Sequence, residues 1–132
     1  MELSGLMAYQ TTWEDKGIYW KYTDTVTPED IFNSNHEFYQ DSRSDNVDYQ
    51  IVDFTNIQEI GFNDQTMKQI ASLDSVESKS ISNIKLALIS DSDDVKKMFQ
   101  EYIEHSDIFN SNWPTKIFND IDSAREWLSE ST

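Results

Sequence analysis

Apolar and polar residues alternate along the first part of the chain. In LMAYQTTWEDKGIYWKYTDTVT, four apolar residues lie in β-rich, largely alternating runs, namely Trp13, Ile18, Trp20 and Tyr22. The sequence Asp15-Lys16-Gly17 between these runs is typical of a turn. The pattern predicts an N-terminal β-hairpin.

The pattern then changes to helical spacing in TPEDIFNSNHEFYQ. Thr27 suits an N-cap and Pro28 suits the first helical position, and the acidic Glu29 and Asp30 follow in the first turn. Apolar residues recur on one face at Ile31, Phe32, Phe38 and Tyr39. We therefore expect a helix to begin at Pro28.

The middle of the chain predicts a strand, a helix and a second strand. After the polar linker DSRSDN, VDYQIVDFT predicts a strand that ends near Thr55. Asn63 or Asp64 can cap the helix that follows, with Met67, Ile70, Ala71 and Val76 facing inward. ESKSISN predicts a loop, and the nearly continuous apolar run IKLALIS favours a strand that is covered on both faces.

The last third predicts helix, strand and helix. DSDDVKKMFQEYIEH has apolar residues at helical spacing, which are Val95, Met98, Phe99, Tyr102 and Ile103. TKIF predicts a short strand, and NDIDSAREWL predicts a helix capped by Asp120. Its inward positions are Ile121, Ala124, Trp127 and Leu128.

These elements follow the order β-β-α-β-α-β-α-β-α. Strands that alternate with helices indicate right-handed crossovers and a mainly parallel sheet. The N-terminal hairpin adds an antiparallel pair, so the sheet is mixed. A length of 132 residues without a Pro/Gly/Ser-rich linker favours one domain. We therefore predict a single α/β domain over residues 1–132, with about four helices.

The string DIFNSN occurs twice, at residues 30–35 and 107–112. The first copy lies in the predicted first helix. The second follows a helix that we expect to end at His105 and Ser106, and residues 110–113 precede Pro114, which disfavours helix. We interpret the repeat as a coincidence of composition and expect helix in the first copy and loop in the second.

The net charge of −15 narrows the classes of partner. Such a charge repels phosphate backbones, which argues against nucleic acids as partners. The absence of cysteine excludes disulfides and thiolate metal sites. Without a signal peptide or an apolar run long enough for a membrane span, we expect a cytoplasmic protein.

Five features follow one another along the chain, namely the hairpin, TPED, IVDFTNI, KLALIS and KIFNDIDSAREWL. Their order and spacing resemble those of SpoIIAA-like proteins of the STAS superfamily. The resemblance extends from Met7 to Leu128. It implies a non-catalytic regulatory or protein-interaction module. The similarity of the SpoIIAA-like fold to CRAL-TRIO domains implies, as an alternative, a carrier or sensor of a lipid or other apolar molecule.

The resemblance also allows a phosphorylation switch to be considered. STAS-type antagonists carry a motif like Asp-Leu-Ser-Gly-Val at the end of a strand, and Asp53 to Ile57 match it loosely. The phosphorylated serine follows in Asp-Ser-Ser-Gly, whereas this chain has Gly61 to Asp64 there and no serine. Thr66 is the nearest hydroxyl, so the sequence argues against serine switching.

An acidic pocket for Mg²⁺ is the weaker, enzymatic alternative. Five aspartates lie near predicted strand ends, namely Asp53, Asp91, Asp93, Asp94 and Asp120. Helix capping accounts for most of them, and the lysine and hydroxyl partners of phosphoryl chemistry are missing. His36 and His105 lie in different helices without metal-ligand spacing. We therefore predict no enzyme activity, no metal and no cofactor.

Eight residues outside the predicted inward faces of the helices form the candidate ligand or partner surface. Trp13 and Trp20 in the hairpin, with Trp113 before the last strand, are candidates for a cavity wall or an interface, although core packing is equally compatible. The other members of this surface are Thr55, Ile57, Phe62, Asn63 and Thr66. The exposed hairpin edge is also compatible with a homodimer.

Overall fold

Strands and helices alternate along residues 8–81 and 84–130, which the computed structural model describes. The elements are β1 (Tyr9–Trp13), β2 (Gly17–Val26), α1 (Pro28–Gln40), a short 3₁₀ helix (Ser42–Asn46), β3 (Tyr49–Ile60), α2 (Asp64–Glu77), β4 (Lys85–Ile89), α3 (Asp93–Ile108), β5 (Thr115–Phe118) and α4 (Ile121–Leu128). The predicted α/β order is confirmed. Leu6 and Met7 of the predicted hairpin, and Ser82 and Asn83 of the predicted loop, lie outside the described residues.

The five strands form one mixed sheet in the order β1-β2-β3-β4-β5. β1 and β2 pair in the antiparallel sense, and the remaining neighbours pair in the parallel sense. The sheet is therefore mainly parallel with a hairpin at one edge, as predicted. β3 is the central strand of the sheet, so its side chains point into the most covered region on each face.

The two faces of the sheet are covered unequally. Alternate residues of a strand point to opposite faces, so Gln50, Val52 and Phe54 share one face of β3 and Ile51 and Asp53 share the other. The first face meets α1, α2 and α3 in the main core. The second face forms a smaller cluster with α4, whose buried members are Ile51, Ala87, Ile89 and Ala124.

The helix starts follow the predicted caps. Thr27 accepts a hydrogen bond from the Asp30 amide while the Asp30 carboxylate accepts one from the Thr27 amide, which completes a capping box. Asn63 caps α2 and Asp120 caps α4 through the side chain alone, which accepts a hydrogen bond from the Thr66 amide and the Ser123 amide, respectively. Local sequence therefore determined where these helices begin.

Two boundary predictions and one prediction of an inward-facing residue were wrong. β3 does not end near Thr55 but continues to Ile60, because the last part of β2 pairs with it beyond two register shifts. Val76 does not face inward, since 65% of its surface is exposed. α3 continues past Ser106 to Ile108, so the first two residues of the second DIFNSN copy are helical and only residues 109–112 of it lie outside the helix.

Candidate functional site

A cavity of about 60 Å³ lies between the sheet and the helices α1, α2 and α3. Its floor includes Val52 of β3 with Leu86 and Leu88 of β4, and its roof includes Met67 and Ile70 of α2. Val52 is only half-buried although it belongs to the central strand, because part of its side chain faces this space. The lining is mainly apolar, as in most small-molecule sites.

Two buried N–H groups in the cavity wall lack hydrogen-bond partners among residues 8–81 and 84–130. They are Nε1 of Trp20 and Nε2 of Gln50, in side chains that are 1% and 3% exposed. Most buried polar atoms in folded proteins have a partner. The cavity wall therefore offers two hydrogen-bond donors that the described residues leave unpaired.

Asp74 of α2 is the acidic residue of the cavity wall. It is 4% exposed, and its carboxylate accepts hydrogen bonds from Tyr39 Oη of α1 at 3.1 Å and from Tyr102 Oη of α3 at 2.6 Å. Burial raises the pKa of Asp74 to about 6, although the two tyrosine hydroxyls act in the opposite direction. The carboxylate thus joins the three helices that cover the cavity.

The cavity approaches the surface where its lining is only half-buried. Asn35 of α1, Phe62 before α2 and Met98 of α3 are the half-buried lining residues from the helical layer. Methionine adapts its shape easily because its side chain is unbranched. Met98 can therefore adjust to the shape of a group in the cavity.

The structure brings two of the eight predicted surface residues, Trp20 and Phe62, into the cavity wall. Trp13 stacks on Phe38 at 5.8 Å between ring centroids and carries the Arg43 guanidinium 4.3 Å above its ring. Trp113 is buried elsewhere and donates from Nε1 to the Ile81 carbonyl at 2.7 Å.

The remaining four predicted residues have local contacts. Thr55 donates from its hydroxyl to Asp53, and Ile57 packs at the border of the main core. Asn63 is the N-cap of α2 and accepts from the Thr66 amide. Thr66 is itself 7% exposed, so the hydroxyl nearest to the antagonist phosphorylation position is buried.

Gln50 and Asp74 were missed although both carry a sequence signal. Gln50 precedes Val52 by two residues and Phe54 by four, so all three lie on the same face of β3. Gln50 is therefore a polar residue on an apolar strand face. Asp74 follows Met67 by seven residues and continues the inward stripe of α2 through Ile70. A polar residue at an apolar position of a repeat is the signal that would have identified both.

The acidic strand ends do not converge into one pocket. Asp53 is buried and contacts Tyr19 Oη at 2.5 Å and Lys21 Nζ at 3.9 Å. Asp120 caps α4, and the Ser123 amide lowers its pKa, while Asp91, Asp93 and Asp94 are exposed. Within the described ranges, no group of three or more His, Asp or Glu side chains is arranged to hold a metal ion.

The two histidines also lie apart from the cavity. His105 Nε2 lies 2.9 Å from Asp64 Oδ1 and links α3 to the start of α2, and His36 is exposed. As for the membrane, none of the helices within residues 8–81 and 84–130 is long and apolar enough to cross one.

Comparison with known proteins gives a structural relative. No protein-family model and no curated protein matches the chain. A solved structure from Shewanella loihica PV-4, described as an uncharacterized protein of the DUF3478 family with a SpoIIAA-like fold, is similar with a TM-score of 0.55 and 15% identity over 92% of each chain. The chain therefore has a SpoIIAA-like fold.

Proposed function

We propose that the protein is a non-enzymatic binding module that takes a small, mainly apolar molecule into the cavity between the sheet and α1, α2 and α3. The unsatisfied N–H groups of Trp20 and Gln50 in an otherwise apolar wall are the observation that carries this proposal. An apolar cavity with a few convergent polar groups is the usual form of a small-molecule site.

The size of the cavity favours a compact ligand over a lipid. A dry cavity of about 150 Å³ binds benzene, whereas this cavity measures about 60 Å³. A long acyl chain would have to displace Phe62, Met98 and further side chains. A compact ligand requires much less rearrangement, and its binding stabilises the helices that cover it.

The proposal is tested by titrating methyl-labelled protein with 2-butanone at millimolar concentration and recording NMR shifts. We expect saturable shifts at the methyl groups of Val52, Leu88 and Met98, which line the cavity. Val52→Leu fills part of the cavity and should weaken binding at least about fivefold, since one methylene of apolar contact corresponds to about 1 kcal/mol.

Val47→Leu is the matched control, because Val47 is a buried core residue outside the cavity wall. It should leave the affinity for 2-butanone unchanged. If no cavity methyl shifts with 2-butanone or with a hydrocarbon of the same shape, the proposed function is wrong.

A second candidate function is binding of a protein partner at α2. Leu73 and Val76 of α2 and Ile108 at the end of α3 are exposed by 50%, 65% and 71%. Phe32 and Phe109 border a groove that also includes Leu73. Since the protein carries a net charge of −15, this apolar surface favours a partner whose apolar contact residues are flanked by lysine or arginine.

A helical peptide with leucine on one face and lysine on the other provides a direct test of this surface. We expect it to shift the α2 amide resonances in wild type and to lose this effect in Leu73→Gln/Val76→Gln. Both side chains are exposed, so the variant should keep its stability within about 0.5 kcal/mol. The same peptide with glutamate in place of lysine is the control. Shifts spread over the whole acidic surface and insensitive to the variant would contradict a specific site.

A further inference from the structure

We infer that the ligand of the cavity is a neutral molecule with a hydrogen-bond acceptor, such as a ketone, ester or ether, and that Trp20 Nε1 and Gln50 Nε2 donate to this acceptor. The inference rests on the proposed function and adds the chemical class of the ligand. It also names Trp20 and Gln50 as the residues that determine specificity.

The strand register places the two donors side by side. Trp20 is the Cα partner of Val52, and Gln50 is the Cα partner of Ile18, across the β2–β3 pair. Gln50 and Trp20 are therefore diagonal neighbours on one face of the sheet, and both line the same cavity. Both donors therefore belong to the wall of one cavity and are available to a single ligand.

The indole group of Trp20 determines which kind of ligand group can pair with it. The Trp20 Nε1–H group is a donor only, so it cannot be satisfied by a ligand that offers only donors. Ligands without an acceptor leave both N–H groups buried and unpaired, which is costly. A carbonyl or ether oxygen satisfies them and keeps the rest of the ligand in apolar contact.

The charges around the cavity argue against an anionic ligand. In the described part of the chain, the lining contains no lysine, arginine or histidine, and Asp74 is its ionisable acid. The Asp74 carboxylate already accepts from Tyr39 and Tyr102. A ligand carboxylate would be buried near this acid without a cation to pair with it, which is strongly unfavourable.

Three probes with one common skeleton test the inference. They are 2-butanone, which carries an acceptor; 2-methyl-1-butene, in which a methylene group replaces the oxygen; and propionate, in which a charged oxygen replaces a methyl group. Binding is followed by NMR at the cavity methyl groups and at the Trp20 indole N–H resonance. We expect 2-butanone to bind at least about tenfold more tightly than 2-methyl-1-butene, with a downfield shift of the indole proton, and propionate not to bind.

Gln50→Met removes the amide donor with little change in shape, and Gln58→Met at an exposed position of the same strand is its matched control. We expect Gln50→Met to reduce the preference for 2-butanone over 2-methyl-1-butene to about threefold or less, and Gln58→Met to preserve it. The ratio is measured within one protein, so a general loss of stability does not affect it.

The outcomes separate this inference from the proposed function. Equal binding of 2-butanone and 2-methyl-1-butene, as expected if a bound water satisfies both N–H groups, would overturn the inference and leave the apolar site in place. Tighter binding of propionate would also overturn it. If none of the probes binds, both the proposed function and the inference are wrong.

Discussion

Asp74 combines a structural and an electrostatic role at the level of a single residue. Its carboxylate accepts hydrogen bonds from two tyrosine hydroxyls of neighbouring helices, and the Asp74 side chain is almost completely buried. Burial disfavours the charged form, so the pKa of Asp74 rises to about 6. Protonation of this group is therefore coupled to folding in the mildly acidic range.

The sign of this coupling follows from the raised pKa. In the unfolded chain Asp74 loses its proton near pH 4, whereas in the folded protein it keeps the proton up to about pH 6. The contribution of Asp74 to stability is thus fully present below pH 4 and is lost as the pH rises to about 6. Above that range its contribution no longer depends on pH.

We predict that Asp74→Asn removes this pH dependence. Relative to the variant, wild type should lose up to about 3 kcal/mol of unfolding free energy between pH 4 and pH 6, since one pKa unit corresponds to about 1.4 kcal/mol. Urea unfolding at a series of pH values measures the difference. Asp122→Asn, at an exposed position of α4, is the control, and a wild-type-minus-Asp74→Asn difference that stays constant from pH 4 to pH 7 would refute the coupling.

At the level of elements, the start of α1 shows how local sequence determines a helix boundary. Thr27 and Asp30 exchange hydrogen bonds between side chain and backbone, with Thr27 N to Asp30 Oδ2 at 2.9 Å and Asp30 N to Thr27 Oγ1 at 3.3 Å. Pro28 fixes the backbone of the first helical residue. These contacts satisfy amide groups that have no partner within the helix.

We predict that Thr27→Ala lowers the unfolding free energy by about 1 kcal/mol, because the Asp30 amide loses its acceptor. Urea unfolding followed by circular dichroism measures the change. Thr27→Ser keeps the hydroxyl and should stay within about 0.5 kcal/mol of wild type. A loss of equal size in both variants would show that the methyl group of Thr27, and not its cap, stabilises α1.

In α2, the helical period determines which side chains face inward, and the hydrophobicity of single residues does not. Met67, Ile70 and Ala71 face inward as predicted, and Asp74 continues this stripe, whereas Val76 is rotated away from it. The prediction followed hydrophobicity, so it counted Val76 as an inward-facing residue and did not include Asp74. The helical period explains both positions, because residues three, four and seven apart lie on the same face, and Asp74 but not Val76 has these spacings from Ala71, Ile70 and Met67.

At the level of the whole molecule, the order of the strands creates the candidate site. β3 lies between β2 and β4, so Gln50 lies beside Ile18 of β2 on one side and Leu86 of β4 on the other, with Trp20 diagonal to it. α2 and α3 then cover this face and bring Asp74 against Tyr102. Residues that are far apart in the chain become one wall of a cavity.

Part of the candidate site could be predicted from sequence. Trp20 and Phe62 were identified as aromatic residues outside the predicted helical faces, and both line the cavity. Trp13 and Trp113 share the same chemistry but pack against other parts of the molecule. A tryptophan in the sequence indicates a large buried surface, but it does not indicate which neighbours that surface meets.

The amino-acid sequence by itself determined the elements, their order and most helix starts, because hydrophobic periodicity, caps and proline act over a few residues. It also determined the two conformations of DIFNSN in outline, since Pro114 lies near only one copy. Tertiary structure decided the continuation of β3 to Ile60, which depends on pairing with β2. It also decided the convergence of Trp20, Gln50 and Asp74, because a cavity wall depends on contacts between distant segments that no local pattern encodes.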